Sequence, residues 1–237
     1  MKRKLKWIII PLAALAILLC AFLVYTGIYY HADSASLAAM KTDETVRVNK
    51  TDYGWFFDGP SEDRLLVFYP GAKVEESAYA PLLRRLGENG IDVCLVSMPF
   101  RLAIFGINKA KDVFAQYDYP YRYIGGHSMG GAMASIYAAE HSGDLNGVIL
   151  LAAYPSKQLD DHLLLLSVYG SEDGVLNLKK VEEGRQYAPT LSMEYVIQGG
   201  NHAQFGNYGK QKGDGEACVS SEEQQETTVE FIVRSLL

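Results

Sequence analysis

Short apolar runs alternate with amphipathic, helix-spaced segments over most of the chain after residue 43. The runs 45–51 and 53–59 are β-branched and aromatic, lie close in sequence and predict an antiparallel pair of strands. Further strands are predicted at 64–69, 91–98, 121–125, 147–154, 163–170 and 193–200, and helices at 75–90, 108–117, from 128 onward and at 221–237, the last capped by Ser221. This alternation predicts an α/β fold with a mostly parallel, eight-stranded sheet and helices on both faces.

The N-terminal 30 residues have a different pattern. A basic end, 1–6, precedes an uncharged run, 7–30. As a helix, that run would reach about 35 Å, which is enough to cross a hydrocarbon core of about 30 Å. It is longer than the apolar part of a signal peptide, although small residues in 31–40 leave cleavage as the alternative. We therefore predict a single-pass cell-membrane anchor with its basic end in the cytoplasm, a stalk at 31–42 and an extracytoplasmic domain at 43–237.

Charge and cysteine content argue against several classes of protein. Without its four N-terminal cations the chain has 18 basic and 28 acidic side chains, a formal charge of about −10. An acidic body does not suggest a nucleic-acid partner. The three cysteines include no CxxC pair, so neither a disulfide framework nor a zinc site is indicated. The pattern does not reveal an oligomeric state.

A glycine-flanked serine lies where a predicted strand gives way to a predicted helix. The residues GHSMG at 126–130 match G-x-S-x-G in the strand-to-helix context that the motif requires. Its glycines permit a strained turn that exposes the Ser128 hydroxyl above the sheet edge, at a helix N-terminus. A capping serine in a glycine-rich turn is the alternative, but the context favours a nucleophile.

A serine nucleophile needs a base, which is itself oriented by a third group. Of five histidines, only His202 follows the carboxyl end of the last predicted strand, at the edge where parallel sheets bind ligands. The acid is expected after the preceding strand, where Asp173 is favoured over Glu172 because a glycine follows it and lets the short carboxylate bend toward the sheet. Asp160 and Asp161, which follow the predicted strand at 147–154, are the alternative acids.

Three separated segments carry a resemblance to a known family. FYPGAKVEESAYAPL at 68–82, GGHSMGG at 125–131 and GGNHAQFGNYG at 199–209 resemble, in this order, the α/β-hydrolase superfamily, and in particular its small membrane-anchored bacterial branch. The similarity covers about 45–237. It implies a hydrolase with Ser128 as nucleophile, His202 as base and Asp173 as the acid that orients it.

Such an enzyme also needs two backbone N–H donors for the oxyanion. Met129, directly after the serine, supplies one. The second is expected from the loop after the 64–69 strand, where YPGA stands in place of the His-Gly of many lipases and esterases. Ala72 is the candidate for this donor, and Lys73 is the next choice.

The connection between the strands at 147–154 and 163–170 is too short for a lid domain. This predicts an open, shallow site for small or short-acyl ester substrates. The implied reaction is acyl transfer through Ser128, which requires no metal and no organic cofactor. Asp214 and Glu216 are expected in a surface loop and not in an ion site.

Two other functions stay open at this point. A thioesterase or an acyltransferase would use the same acyl-enzyme with another leaving group or acceptor, and one sequence does not separate these from an esterase. A surface binding protein could keep the fold without turnover. The complete set of Ser128, Asp173 and His202 argues against that last alternative.

Overall fold

Eight strands form one sheet in the computed structural model, which describes residues 2–237. The strands are β1 (Arg47–Lys50), β2 (Gly54–Asp58), β3 (Arg64–Tyr69), β4 (Asp92–Val96), β5 (Tyr121–His127), β6 (Gly147–Leu151), β7 (Leu164–Gly170) and β8 (Leu191–Ile197). The α-helices are α1 (Lys2–Gly27), α2 (Ser34–Ala39), α3 (Ala80–Glu88), α4 (Lys109–Gln116), α5 (Met129–Glu140), α6 (Leu178–Gly184) and α7 (Ser221–Leu236).

The strands are ordered β1-β2-β4-β3-β5-β6-β7-β8. The β1–β2 and β2–β4 pairs are antiparallel, and every other neighbouring pair is parallel. The predicted α/β fold is thereby confirmed. Because the strands from β3 to β8 point the same way, the residues that follow them meet at one edge of the sheet, which we call the carboxyl edge.

Helices cover both faces of the sheet, as expected from the alternating pattern. One core lies beneath α3 and α7 and contains Leu83, Leu86, Val229 and Ile232. The other lies beneath α4 and α5 and contains Val113, Phe114, Ala134 and Tyr137. Within the described residues, the β6–β7 connection contains no helix, so no lid covers the carboxyl edge there.

Two helix starts differ from the sequence prediction for local reasons. A 3₁₀ turn, Glu76–Tyr79, precedes α3, which begins only at Ala80 with a proline in its first turn. The cap of α7 is Ser220 and not Ser221. Ser220 Oγ accepts a hydrogen bond from Glu223 N (3.2 Å), and the Glu223 carboxylate accepts one from Ser220 N (2.8 Å). This reciprocal capping box satisfies two amides that the helix leaves unpaired.

The N-terminal helix α1 contains a segment, Ile9–Gly27, that is long and apolar enough to cross a membrane.

Residues 31–42, expected to form a stalk, pack on the domain instead of standing free. Asp33 N donates to Asn207 O (2.9 Å), and Ser36 in α2 is fully buried. Small polar residues that look like a linker in the sequence here satisfy backbone groups of the domain.

Candidate active site

Ser128 lies in the sharp turn between β5 and α5. Its backbone has φ 54° and ψ −124°, a sparsely populated conformation that costs about 1–3 kcal/mol. Close approach of other backbone explains the glycines around it. A Cβ at Gly126 would lie 2.5 Å from Tyr69 O, and a Cβ at Gly130 would lie 2.1 Å from the same oxygen. The end of β3 and the serine turn therefore touch, and only glycine fits between them.

The three residues predicted from the serine motif and from positions after strands, Ser128, His202 and Asp173, lie in one hydrogen-bonded row. Ser128 Oγ is 2.9 Å from His202 Nε2, and His202 Nδ1 is 2.8 Å from Asp173 Oδ2. The side chains of His202 and Asp173 are 2% and 0% exposed, so water does not compete for their contact. This geometry allows His202 to take the serine proton while Asp173 holds the ring in the required orientation.

The loop after β7 explains why Asp173, and not its neighbour, reaches the histidine. Asp173 Oδ1 accepts hydrogen bonds from Val175 N (2.9 Å) and Leu176 N (2.7 Å), which leaves Oδ2 for His202. Glu172 Oε1 instead accepts from the Ser171 hydroxyl at the surface (3.0 Å). We call residues 171–177 the acid loop.

The alternative acids lie elsewhere. Asp160 contacts the exposed His162 at 2.8 Å, and Asp161 accepts a hydrogen bond from Thr190 N (3.1 Å). Both aspartates are thus engaged in surface contacts after β6. Neither contacts His202, so the structure brings only Asp173 of the candidate acids to the histidine.

A further carboxylate, Asp214, ties the acid loop to the histidine loop, residues 198–217. Its Oδ1 accepts from Gly174 N (3.1 Å) and His202 N (3.2 Å), and its Oδ2 accepts from Ala203 N (2.8 Å). The sequence places Asp214 in an apparent surface loop with no local signal of this role. Because its partners are backbone amides 11 to 40 residues earlier in the chain, only the tertiary structure reveals this role.

His127, the residue before the serine, connects two other parts of the site. Its Nδ1 is 2.8 Å from the Tyr79 hydroxyl, which accepts a hydrogen bond from Gly71 N (3.0 Å). Its Nε2 is 3.1 Å from His202 O. Complete burial, reinforced by the nearby His202, holds the pKa of His127 well below its usual value. We assign a neutral ring that accepts from Tyr79 and donates to the His202 carbonyl.

The amides after β3 distinguish the candidate oxyanion donors. We call residues 70–75 the oxyanion loop. Gly71 N is engaged by Tyr79, and Lys73 N donates to Arg101 O (2.9 Å). Over the described range 2–237, Ala72 N has no hydrogen-bond acceptor. Met129 is the first residue of α5, where helix amides have no intrahelical acceptor. Ala72 and Met129 therefore have amides available to a ligand.

In the part of the chain that the structure describes, no group of three or more His, Cys, Asp or Glu side chains could hold a metal ion. The Asp214 carboxylate accepts hydrogen bonds from the amides of Gly174, His202 and Ala203. Glu216 contacts Lys210 at 2.7 Å. The two acidic residues considered as ion ligands in the sequence thus have other partners.

Comparison with known proteins gives the family. The sequence profile described as the alpha/beta hydrolase family matches residues 65–226, and the chain belongs to this family. It is therefore a hydrolase with the α/β-hydrolase fold. No curated protein matches the sequence.

Solved structures agree on the fold. Est1E from Butyrivibrio proteoclasticus is 15% identical with a TM-score of 0.56, over 81% of this chain and 99% of that one. Dienelactone hydrolase from Anabaena variabilis is 11% identical with a TM-score of 0.59, over 81% and 97%. A membrane phospholipase A, described as a bacterial virulence factor, is 13% identical with a TM-score of 0.56, over 99% of both chains. At these identities the likeness concerns the fold alone.

Proposed function

We propose that the protein is a membrane-tethered serine hydrolase that cleaves carboxylic esters through an acyl-enzyme. The observation that carries this proposal is the row from Ser128 Oγ through His202 to Asp173, with separations of 2.9 and 2.8 Å. These distances are within reach for proton transfer between nucleophile and base. The family assignment supports hydrolysis, and the row supports a serine mechanism for it.

In the first half-reaction, His202 Nε2 takes the Ser128 proton as Oγ attacks the ester carbonyl carbon. The tetrahedral intermediate has a negative oxygen, which the amides of Met129 and Ala72 stabilise. His202 then returns the proton to the alcohol oxygen, the C–O bond breaks, and the acyl group remains on Ser128. Asp173 keeps the proton-bearing Nδ1 in place and stabilises the imidazolium that forms.

Water completes the cycle by the same route. His202 removes a proton from water, whose oxygen attacks the acyl carbon, and the proton passes to Ser128 Oγ as the carboxylic acid leaves. Each ester thus consumes one water and yields one alcohol and one acid. A thiol leaving group or another acceptor would use the same steps, so assays with thioesters and with added alcohol acceptors distinguish a thioesterase and an acyltransferase from an esterase.

The open carboxyl edge supports a substrate whose reacting part is small. The short β6–β7 connection contributes no lid, so little apolar wall surrounds the bond to be cleaved. We expect turnover of short-acyl esters to exceed that of long-acyl esters presented in solution.

The apolar helix supports the proposed topology. The basic residues before Ile9–Gly27 favour a cytoplasmic N-terminus, with the domain 43–237 outside the cytoplasm. Contacts of α1 and the residues after it with the domain favour a helix that is retained and not removed as a signal peptide: the Phe22 ring lies 5.1 Å from that of Phe100, and Tyr30 N donates to Lys73 O at 2.8 Å. Protease added outside intact cells is expected to degrade the domain and leave the basic end protected. Loss of the basic end alone would contradict this orientation.

The decisive experiment is labelling of the full chain, in detergent micelles, with a fluorophosphonate. We expect one modified peptide containing Ser128, with no label after Ser128→Ala. The matched control, Ser142→Ala, changes a serine whose hydroxyl faces Asp160 at the surface and should label normally. If the folded wild-type chain takes no label, the serine is not activated and a binding protein becomes the better interpretation.

A further inference from the structure

Three large apolar side chains are exposed together in the loop after β4. Phe100, Ile104 and Phe105, which we call the apolar patch, are 48%, 53% and 54% exposed. Phe100 and Phe105 contact each other edge to face, with ring centroids 5.9 Å apart. Grouping exposed apolar side chains does not stabilise a surface that faces water, and such patches mark sites of contact with a partner.

The patch is continuous with the membrane helix. The Phe22 ring of α1 lies edge to face with Phe100 at 5.1 Å and with Phe105 at 6.0 Å. Phe22 precedes the end of the apolar segment Ile9–Gly27 by five residues, which corresponds to about 7.5 Å along the helix. Side chains that touch Phe22 are therefore level with the hydrocarbon if α1 spans a bilayer.

Two cations mark the level of the lipid head groups just beyond. Lys73 Nζ lies 4.0 Å from the Tyr25 ring centroid, and Arg101 Cζ lies 3.5 Å from that of Tyr29. Tyrosines are enriched at the membrane–water interface, and long basic side chains extend toward it. Tyr30 N also donates to Lys73 O at 2.8 Å, so the end of α1 is attached to the oxyanion loop.

The same loops border the serine. Lys73, whose amide bonds Arg101 O, directly follows the candidate oxyanion donor Ala72. The turn Ala103–Phe105 packs against α5, the helix that begins directly after Ser128. The exit of the membrane helix, the apolar patch and the reacting serine thus share one side of the carboxyl edge.

From this arrangement we propose that the apolar patch enters the leaflet at the C-terminal end of α1, so that the site opens onto the bilayer and takes amphiphilic esters from it. The inference rests on the proposed function. A site without a lid need only enclose the ester group, because the rest of the acyl chain stays in the leaflet. Burial of the patch in lipid removes exposed apolar surface and supplies the stabilising contact that the isolated domain lacks.

Two esters of one fluorogenic alcohol test the proposal. The full chain is reconstituted in phosphatidylcholine vesicles and assayed with 4-methylumbelliferyl butyrate in solution and with 4-methylumbelliferyl oleate dissolved in the vesicles. We expect wild type to hydrolyse both. The double variant Phe100→Ser/Phe105→Ser is expected to lower the ratio of oleate to butyrate turnover about tenfold, because each change removes apolar contact with lipid.

The control variant changes equally exposed apolar residues elsewhere. Leu178 and Leu191 are 54% and 61% exposed and lie in α6 and β8, at the other end of the sheet. Leu178→Ser/Leu191→Ser should leave the ratio at its wild-type value. The membrane-access proposal would be overturned, and the proposed function would stand, in either of two cases. The first is an oleate-to-butyrate ratio in Phe100→Ser/Phe105→Ser equal to that of wild type. The second is a wild type that hydrolyses the butyrate but not the oleate. Failure of wild type on both esters would instead overturn the proposed function.

A depth measurement tests the location of the patch independently of activity. Phe105→Trp is introduced into a chain that already has Trp7→Phe. The fluorescence of the one remaining native tryptophan, Trp55, is measured in the Trp7→Phe chain and subtracted as the baseline. Brominated acyl chains in the vesicles should quench the emission that Phe105→Trp adds. If this emission is quenched only by aqueous iodide, the patch faces water. If it is quenched by neither, a second copy or another protein segment covers it. Either result contradicts insertion in the leaflet.

Discussion

Two loops at the carboxyl edge are built in opposite ways. The histidine loop, 198–217, holds polar side chains inside the protein, whereas the loop 97–108 holds apolar ones at the surface. His202 is 1% exposed, and the Asp214 carboxylate accepts hydrogen bonds from backbone amides of two loops. Phe105, in contrast, is 54% exposed and packs edge to face with Phe22 of α1 and with Phe100 of its own loop.

The difference shows which part of the site has all of its stabilising contacts inside the protein and which part needs contacts from outside. Buried polar groups must find partners inside the protein, because no water is present to replace them. Exposed apolar groups gain only when something outside covers them. The row from Ser128 to Asp173 is therefore supported by internal hydrogen bonds, while in the proposed arrangement access to it depends on the lipid around the C-terminal end of α1.

The largest effect in the internal network is expected from Asp173→Asn. The amide cannot hold the Nδ1 proton of His202 in the same way, so the ring adopts the wrong tautomer and kcat falls about 10⁴-fold. Ester turnover measures the loss, and the fluorophosphonate rate should fall with it. Glu172→Gln, one residue away and exposed, is the control. Similar activities for the two variants would remove Asp173 from the mechanism.

Asp214→Ala tests whether the link between the two loops positions the histidine. The variant leaves the amides of Gly174, His202 and Ala203 without their acceptor, which costs about 1–3 kcal/mol of stability. Displacement of His202 should also lower kcat about 10²-fold, with a smaller change in KM.

Glu216→Ala is the control for that experiment, because the exposed Glu216 pairs with the exposed Lys210 and not with the acid loop or His202 in the part of the chain that the structure describes. Thermal unfolding in detergent and steady-state ester kinetics separate the two effects. Normal kcat in a destabilised Asp214→Ala protein would mean that the link stabilises the fold without positioning the histidine.

His127→Gln is expected to change how stability depends on pH. His127 stays neutral when folded, so the unfolded chain gains a proton as pH falls below about 6.5 while the folded chain does not. Stability from this residue is thus present above about pH 6.5 and lost as pH falls toward its lower folded pKa. The variant should show a smaller drop in unfolding temperature between pH 7.5 and pH 5.5.

The exposed His162 provides the opposite case. Its hydrogen bond to Asp160 raises its pKa, so its contribution is lost as pH rises. His162→Asn should therefore still show the drop in unfolding temperature between pH 7.5 and pH 5.5 that wild type shows. An unchanged pH profile in His127→Gln would contradict the neutral buried ring.

The smallest effect is expected from Phe105→Ser in detergent micelles. A substitution on the exposed loop should change the free energy of unfolding by about 0.5 kcal/mol or less, since the domain core is not touched. In vesicles, Phe105→Ser should lower oleate turnover in the same direction as the double variant Phe100→Ser/Phe105→Ser. A large loss of stability in micelles would mean that the patch belongs to the core of the domain and would weaken the contrast between the two loops.

Much of the architecture could be predicted because it depends on local pattern. Apolar runs indicate most of the buried strands, and β3 runs from Arg64 to Tyr69 as predicted. The sequence does not predict helix α6, Leu178–Gly184, because only two of its residues, Val181 and Gly184, are buried, which leaves a weak periodic signal. The edge strand β8 begins two residues earlier than predicted, in exposed sequence that carries no burial pattern.

What the sequence alone determined was the order of the elements, the serine turn and the histidine and aspartate expected to serve it, since these follow from periodicity, glycine placement and position after a strand. The tertiary structure decided which amides stay available, because Gly71 and Lys73 are engaged by Tyr79 and Arg101 from other segments. It also decided the roles of Asp214 and Phe105. Asp214 is bound to Gly174 and Phe105 packs on Phe22, and only folding brings these separated residues into contact.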